Sequence, residues 1–182
     1  MKKELLLIAT VIGMTGCSSM IAKNVDTLKA PTGNGALAIT TLFDISGSYP
    51  CQRFYLDITE KLNDSVENPR LAAEPIKLNF FPDADTKYVL FDGIKPGGYV
   101  LKELRCYPAQ GYVFNKNKSY LELKGRVDLE IKANKITLSK GGFSGEQDGN
   151  GGFSFRFSEE GDNQSLLKQT ITPESKVGWS FY

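Results

Sequence analysis

The strongest constraint on this chain is a series of short runs in which apolar and polar residues alternate with period two. Arg53-Phe54-Tyr55-Leu56-Asp57-Ile58, Ile76-Lys77-Leu78-Asn79-Phe80, Val127-Asp128-Leu129-Glu130-Ile131 and Phe153-Ser154-Phe155-Arg156-Phe157 all follow it. Successive side chains of a strand leave on opposite faces, so each run buries one face and wets the other. Further β-type runs cover Ala36 to Phe43, Tyr88 to Phe91, Tyr99 to Leu104, Tyr112 to Phe114, Tyr120 to Leu123 and Ile136 to Leu138. Turn residues such as Asn68-Pro69, Pro96-Gly97 and Ala133-Asn134 separate them. Eight or more short strands at this spacing predict an all-β chain, mainly an antiparallel β-sandwich. One segment departs from the pattern. Leu167 and Ile171 lie four apart, Asp162 suits an N-cap and Pro173 stops the run, which predicts one short C-terminal helix. Val177 to Tyr182 alternates again as a last strand. The glycine-dense stretch from Gly141 to Gly152, with Asp148-Gly149-Asn150 inside it, reads as a flexible hairpin.

Ahead of the first strand lies a different kind of sequence. Met1-Lys2-Lys3-Glu4 is followed by an apolar run from Leu5 to Met14. That run is about half the length a membrane-spanning helix needs, and fits the hydrophobic region of a secretory signal peptide. Thr15-Gly16-Cys17-Ser18 comes next. The combination resembles the lipobox of bacterial lipoproteins, with Met14 where Leu is usual. The resemblance implies cleavage before Cys17, acyl chains on Cys17, and an anchor in the membrane; Ser18 in place of Asp implies the outer membrane, facing the periplasm. More than one acyl chain suffices for stable anchoring. The expected organisation is a leader over 1–16, a lipidated polar tether over 17–34, and one β-sandwich domain over 35–182.

Charge and residue counts then exclude several functions. The full chain has 22 basic and 21 acidic residues. The leader holds Lys2, Lys3 and Glu4, so its removal leaves 20 of each. A balanced surface gives no polyanion signal, and nucleic acid is not an expected partner. The chain has no His, which removes Ser-His-Asp and Cys-His catalysis and His-bearing zinc sites. No phosphate-cradling glycine motif is present, and no cofactor or metal is expected. Of three Cys, Cys51 and Cys106 remain after the anchor. In an oxidising compartment an even pair reads as a disulfide; two buried free thiols are the alternative.

The most informative motif is Phe91-x-x-Ile94-x-Pro96-Gly97-x-Tyr99-x-Leu101. Pro at the second turn position and Gly at the third suit a type II turn. The motif resembles the turn of prealbumin-like (transthyretin-like, carboxypeptidase-regulatory-like) β-sandwich domains, and small bacterial lipoproteins of mostly unknown function carry the same element. The resemblance spans about residues 35–140. A plain hairpin in another β fold is the alternative reading.

Candidate sites are few. Asp83/Asp85 and Glu159/Glu160 are adjacent carboxylates that read as solvated loops. Asp148 to Gly152 lacks calcium-loop spacing. Tyr107, Tyr112 and Phe114 cluster near Cys106 and form a candidate binding patch if exposed, or core filling if not. The expectation is a non-enzymatic, lipid-anchored module for binding or envelope assembly, with an envelope protein as partner. Two other readings stay open: a carboxylate-dependent envelope hydrolase, and a small outer-membrane β-barrel.

Overall fold

The computed structural model describes residues 19–44, 49–63, 68–111, 113–114, 117–148, 150, 152–159, 161–171 and 178–182. Cys17, Tyr112, Glu160, Pro173, Val177 and the whole leader lie outside the described residues.

Ten strands and one helix follow in chain order: β1 (Ser19–Ile21), β2 (Gly35–Asp44), β3 (Arg53–Glu60), β4 (Ile76–Phe80), β5 (Tyr88–Ile94), β6 (Gly97–Tyr107), β7 (Leu121–Ile131), β8 (Lys135–Gln147), β9 (Phe153–Ser158), α1 (Asn163–Thr170) and β10 (Ser180–Phe181). They form two sheets. The first has the order β1-β4-β3-β6-β7; the second has β10-β8-β2-β5, with β9 also on β8. The strands therefore make an all-β sandwich with one short helix rather than a single closed barrel. The sheets are mixed. Antiparallel pairings dominate, but β1–β4, β2–β8 and β8–β10 are parallel.

Inward residues of the two sheets make the main core. Phe54, Leu56 and Ile58 of β3 and Leu78 and Phe80 of β4 meet Leu37, Ile39, Phe91 and Phe143 from the opposite sheet. Phe43 and Phe80 both lie against the Phe54 ring, at 5.4 and 5.2 Å between centroids. The Cys51–Cys106 disulfide is formed and lies in this core, tying the chain just ahead of β3 to the end of β6.

The second sheet is buried on both sides. Leu167 and Ile171, at the end of α1, cover Ala36, Ala38, Leu90, Ile136 and Leu138. This explains why β2 reads as a continuous apolar run rather than an alternating one. Ala on the helix side lets α1 approach closely. The helix starts where Asp162 caps it, its carboxylate accepting from the Ser165 amide at 3.0 Å. By contrast, the outer face of the first sheet is only partly covered: Asp57, Thr59 and Val100 are buried on it, while Arg53 is exposed and Tyr55 half-buried.

Four expectations change. The stretch 18–34, read as a tether, packs onto the domain from Ser19 onward. β1 pairs with β4, the Lys23 amide donates to the Leu90 carbonyl of the other sheet, Lys23 pairs with Asp92 at 2.6 Å, and Val25 is buried under α1. A polar sequence does this because backbone bonds to two sheet edges need no apolar side chains. Tyr120 to Ile131 is not two strands but one, β7, with Gly125 inside it. Val113 and Phe114 form no strand; Phe114 makes a single bridge to Lys118. Much of the glycine-dense stretch is the body of β8, and just beyond it Asp148 accepts from the amides of Asn150 and Gly152.

The Pro96-Gly97 turn also differs from a hairpin. It carries the chain from β5 in one sheet to β6 in the other. Phe91, Ile94, Tyr99 and Leu101 are all buried in the core on either side of it. Gly93 takes φ +78 and Gly97 φ +156, both regions that side chains resist. The Tyr99 hydroxyl closes the turn by donating to the Lys95 carbonyl at 2.8 Å.

Candidate functional site

Alternation on β3, β4 and β6 decides what stands on the open face of the first sheet. With Phe54, Leu56 and Ile58 inward, Arg53, Tyr55 and Asp57 point outward. Pairing brings Lys77 of β4 beside Asp57, and Arg105 and Tyr107 of β6 beside Tyr55 and Arg53. A register shift at Lys102, where Asp57 pairs with Glu103 but Ile58 with Leu101, adds Glu103 to the same neighbourhood.

A groove of about 630 Å³ lies over this face, walled by Arg53, Tyr55, Lys77, Phe81, Arg105 and Tyr107. Its far wall is the loop Pro108-Ala109-Gln110. Two tyrosines, Tyr55 and Tyr107, line it, and Tyr120 packs behind Tyr107. The Tyr107 ring meets Tyr55 edge-on at 5.2 Å and Tyr120 at 5.5 Å. The Arg53 guanidinium sits 4.7 Å from the centre of the exposed Phe81 ring and donates to the Tyr55 hydroxyl at 3.1 Å. Arg53 is therefore held over the groove, not free to sweep solvent.

Under the groove floor is a carboxylate–guanidinium triad. Arg105 donates to Asp57 at 2.8 Å and to both oxygens of Glu103, at 2.6 and 3.0 Å. Burial raises the Asp57 carboxyl above its ordinary value, with Arg105 pulling it back down. The hydrogen bond from Arg105 holds Glu103 below the usual carboxylate range. One Asp57 oxygen, Oδ1, is buried without a hydrogen-bond partner among the described residues. This triad sets the rotamers of Arg105 and its neighbours, so the groove floor is rigid.

The sequence-derived candidates are split. Tyr107 lines the groove. Phe114 does not: it is buried and stacks on Phe153 at 5.8 Å, filling the core. Tyr112 lies outside the described residues. Asp83 is an exposed turn residue, held low by the Asp85 amide and accepting also from Thr86. Among the described residues no cluster of three or more His, Cys, Asp or Glu could hold a metal ion. Arg53, Tyr55, Lys77, Phe81, Arg105 and Gln110 were not singled out by sequence. The alternation assigned Arg53 and Tyr55 to an outer face; what it lacked was the strand order that sets β4 and β6 on either side of β3. Comparison of the chain with protein families, with curated proteins and with solved structures finds no match to any.

Proposed function

We propose that this chain is a lipid-anchored, periplasm-facing lipoprotein of the outer membrane, with a prealbumin-like sandwich serving as a non-enzymatic binding module. The lipobox-like sequence ending in Cys17 supports the anchor, and the Phe91 to Leu101 motif supports the family likeness. The observation that carries the binding reading is the position of the groove relative to the N-terminus. Ser19 pairs with Lys77, at one end of the groove, and Phe81 lies four residues further along β4, about 13 Å away. On this reading the lipid is carried by Cys17, two residues before Ser19 in sequence. A lipid on Cys17 thus holds one end of the groove near the bilayer, and the groove runs away from it toward Gln110. The acids beneath the groove are committed to Arg105, which suits a rigid recognition surface.

The test of the anchor is processing. Globomycin, or Cys17→Ser, is expected to block maturation and to move the chain out of the membrane fraction. Normal maturation and fractionation in both cases would contradict the anchor.

One observation favours the hydrolase reading: Asp57, raised by burial, lies across from Glu103. Glycosidic chemistry needs the two carboxyls facing a substrate between them. Here Arg105 occupies that place. Loss of hydrolytic activity on cell-envelope polymers in Asp57→Asn, with the fold retained, is the result that reading requires.

A further inference from the structure

We infer that the groove on the first sheet takes an acidic segment of a protein partner. This deepens the binding reading above and rests on it. The charged side chains that wall the groove are Arg53, Lys77 and Arg105, all basic. Arg105 is matched by Asp57 and Glu103. Arg53 and Lys77 have no ion pair among the described residues, although this chain carries as many acids as bases after loss of its leader. Lys77 stands beside Asp57 in register, and Arg53, about 13 Å along the strands, faces no carboxylate among the described residues, so the Arg53 end of the groove is the complementary site for carboxylates from elsewhere.

The uncharged walls fit a peptide more closely than a bare anion. Tyr55, Tyr107 and Phe81 offer ring faces and edges beside the cations, and Tyr with Arg is the composition of interface anchors. Arg53 is already oriented by Tyr55 and Phe81, so little side-chain freedom is lost on binding. The Gln110 side-chain amide in the groove lining can meet a peptide backbone, while the Gln52 amide nitrogen already donates to the Tyr49 carbonyl at 2.8 Å. The groove length, from Lys77 to the 108–110 loop, accommodates several extended residues.

The test is an NMR titration of the chain from residue 18 onward, disulfide intact, with N-acetylated, amidated hexaglutamate. Hexalysine and inorganic phosphate are titrated in parallel. Saturable amide shifts are expected at Arg53, Tyr55, Lys77 and Tyr107, and Arg53→Glu or Lys77→Glu should weaken the binding by about tenfold or more. Added salt should weaken it as well. Both positions are at least partly exposed, and an unchanged spectrum elsewhere verifies the fold of each variant. Absence of shifts with hexaglutamate, equal shifts with phosphate, or shifts unaffected by Arg53→Glu would overturn the inference. A photo-cross-linker at Gln110 in cells separates the two levels. A protein adduct there without any hexaglutamate response removes the acidic partner and keeps the binding module; no adduct and no response removes both.

Discussion

Gly145 of β8 lies against Phe43 of β2, so closely that a Cβ on the glycine would come within 2.4 Å of the ring carbon Cδ1. It would also meet the Tyr49 hydroxyl at 2.5 Å. Both aromatics are buried and cannot swing into solvent. Gly145→Ala should therefore cost about 1–3 kcal/mol by overpacking. Gly125 of β7 has nothing within 4 Å of the same added atom, so Gly125→Ala should stay within about 0.5 kcal/mol. Urea denaturation of the two variants side by side checks the contrast.

Cys51 and Cys106 are 55 residues apart, and their bond closes a long loop of the unfolded chain. Replacing both by Ala, or reducing the bond, should lower stability by about 4 kcal/mol in the chain-entropy account. Thermal melting with and without reductant reads this directly. The β3–β6 pairing itself should survive, because the Gln52 amide and the strand ladder hold the same two segments together.

Alkaline pH should unfold the domain through two tyrosines. Burial pushes Tyr49 up to about 12, and burial with the nearby Glu60 charge pushes Tyr99 up to about 12. The folded state keeps these protons while the unfolded chain loses them near pH 10. Stability is thus complete below pH 10 and falls as pH rises from 10 to 12, by about 2–3 kcal/mol for each residue. Absorbance at 295 nm followed with circular dichroism should show their ionisation coinciding with unfolding. Tyr99→Phe should be slightly less stable at neutral pH, having lost the bond to the Lys95 carbonyl, but should decline less steeply above pH 10.

Much of this architecture was readable from alternation. Strands β3, β4 and β9 fall on their alternating runs because one face of each meets an apolar layer and the other carries polar side chains, some in water and some, such as Asp57 and Asn79, buried with polar partners. α1 was equally legible, from Asp162 as cap and the Leu167 to Ile171 spacing. The N-terminal stretch was not. Its hold on the fold rests largely on backbone bonds from Ala22 and Lys23 to Asn79 and Leu90, which leave no hydrophobic signature, together with the isolated apolar Val25. Gly141 to Gly145 was misread as a loop for a related reason. Those residues are small because Phe43, Tyr49 and Phe157 fill the space, a fact that depends on contacts distant in sequence. The groove was illegible until strand order was known, since its walls come from β3, β4 and β6 and from the loop after β6.

Asp57 is buried and paired with Arg105 at 2.8 Å. Arg105→Met should remove the hydrogen-bonded counter-charge while keeping a long apolar stem, leaving Asp57 only the more distant Lys77 charge, at a cost of about 3 kcal/mol at neutral pH. Burial already raises Asp57, and loss of Arg105 raises it further. A raised carboxyl destabilises the fold once pH exceeds its unfolded value, so the deficit of the variant should shrink as pH falls and Asp57 takes up its proton. Chemical denaturation at pH 7 and at pH 4.5 compares the two directly.

A membrane-held binding module would carry a groove that starts beside its anchor and runs away from the bilayer toward Gln110. Site-specific photo-cross-linking of the full-length chain in its native envelope tests it most directly, with one probe at Gln110 on the far wall of the groove and another at Glu74, just before β4 at the Ser19 end. The predicted result is a discrete protein adduct from Gln110 that disappears with Arg53→Glu, and lipid adducts from Glu74. Lipid adducts from Gln110, or a protein adduct there that is indifferent to Arg53→Glu, would contradict it.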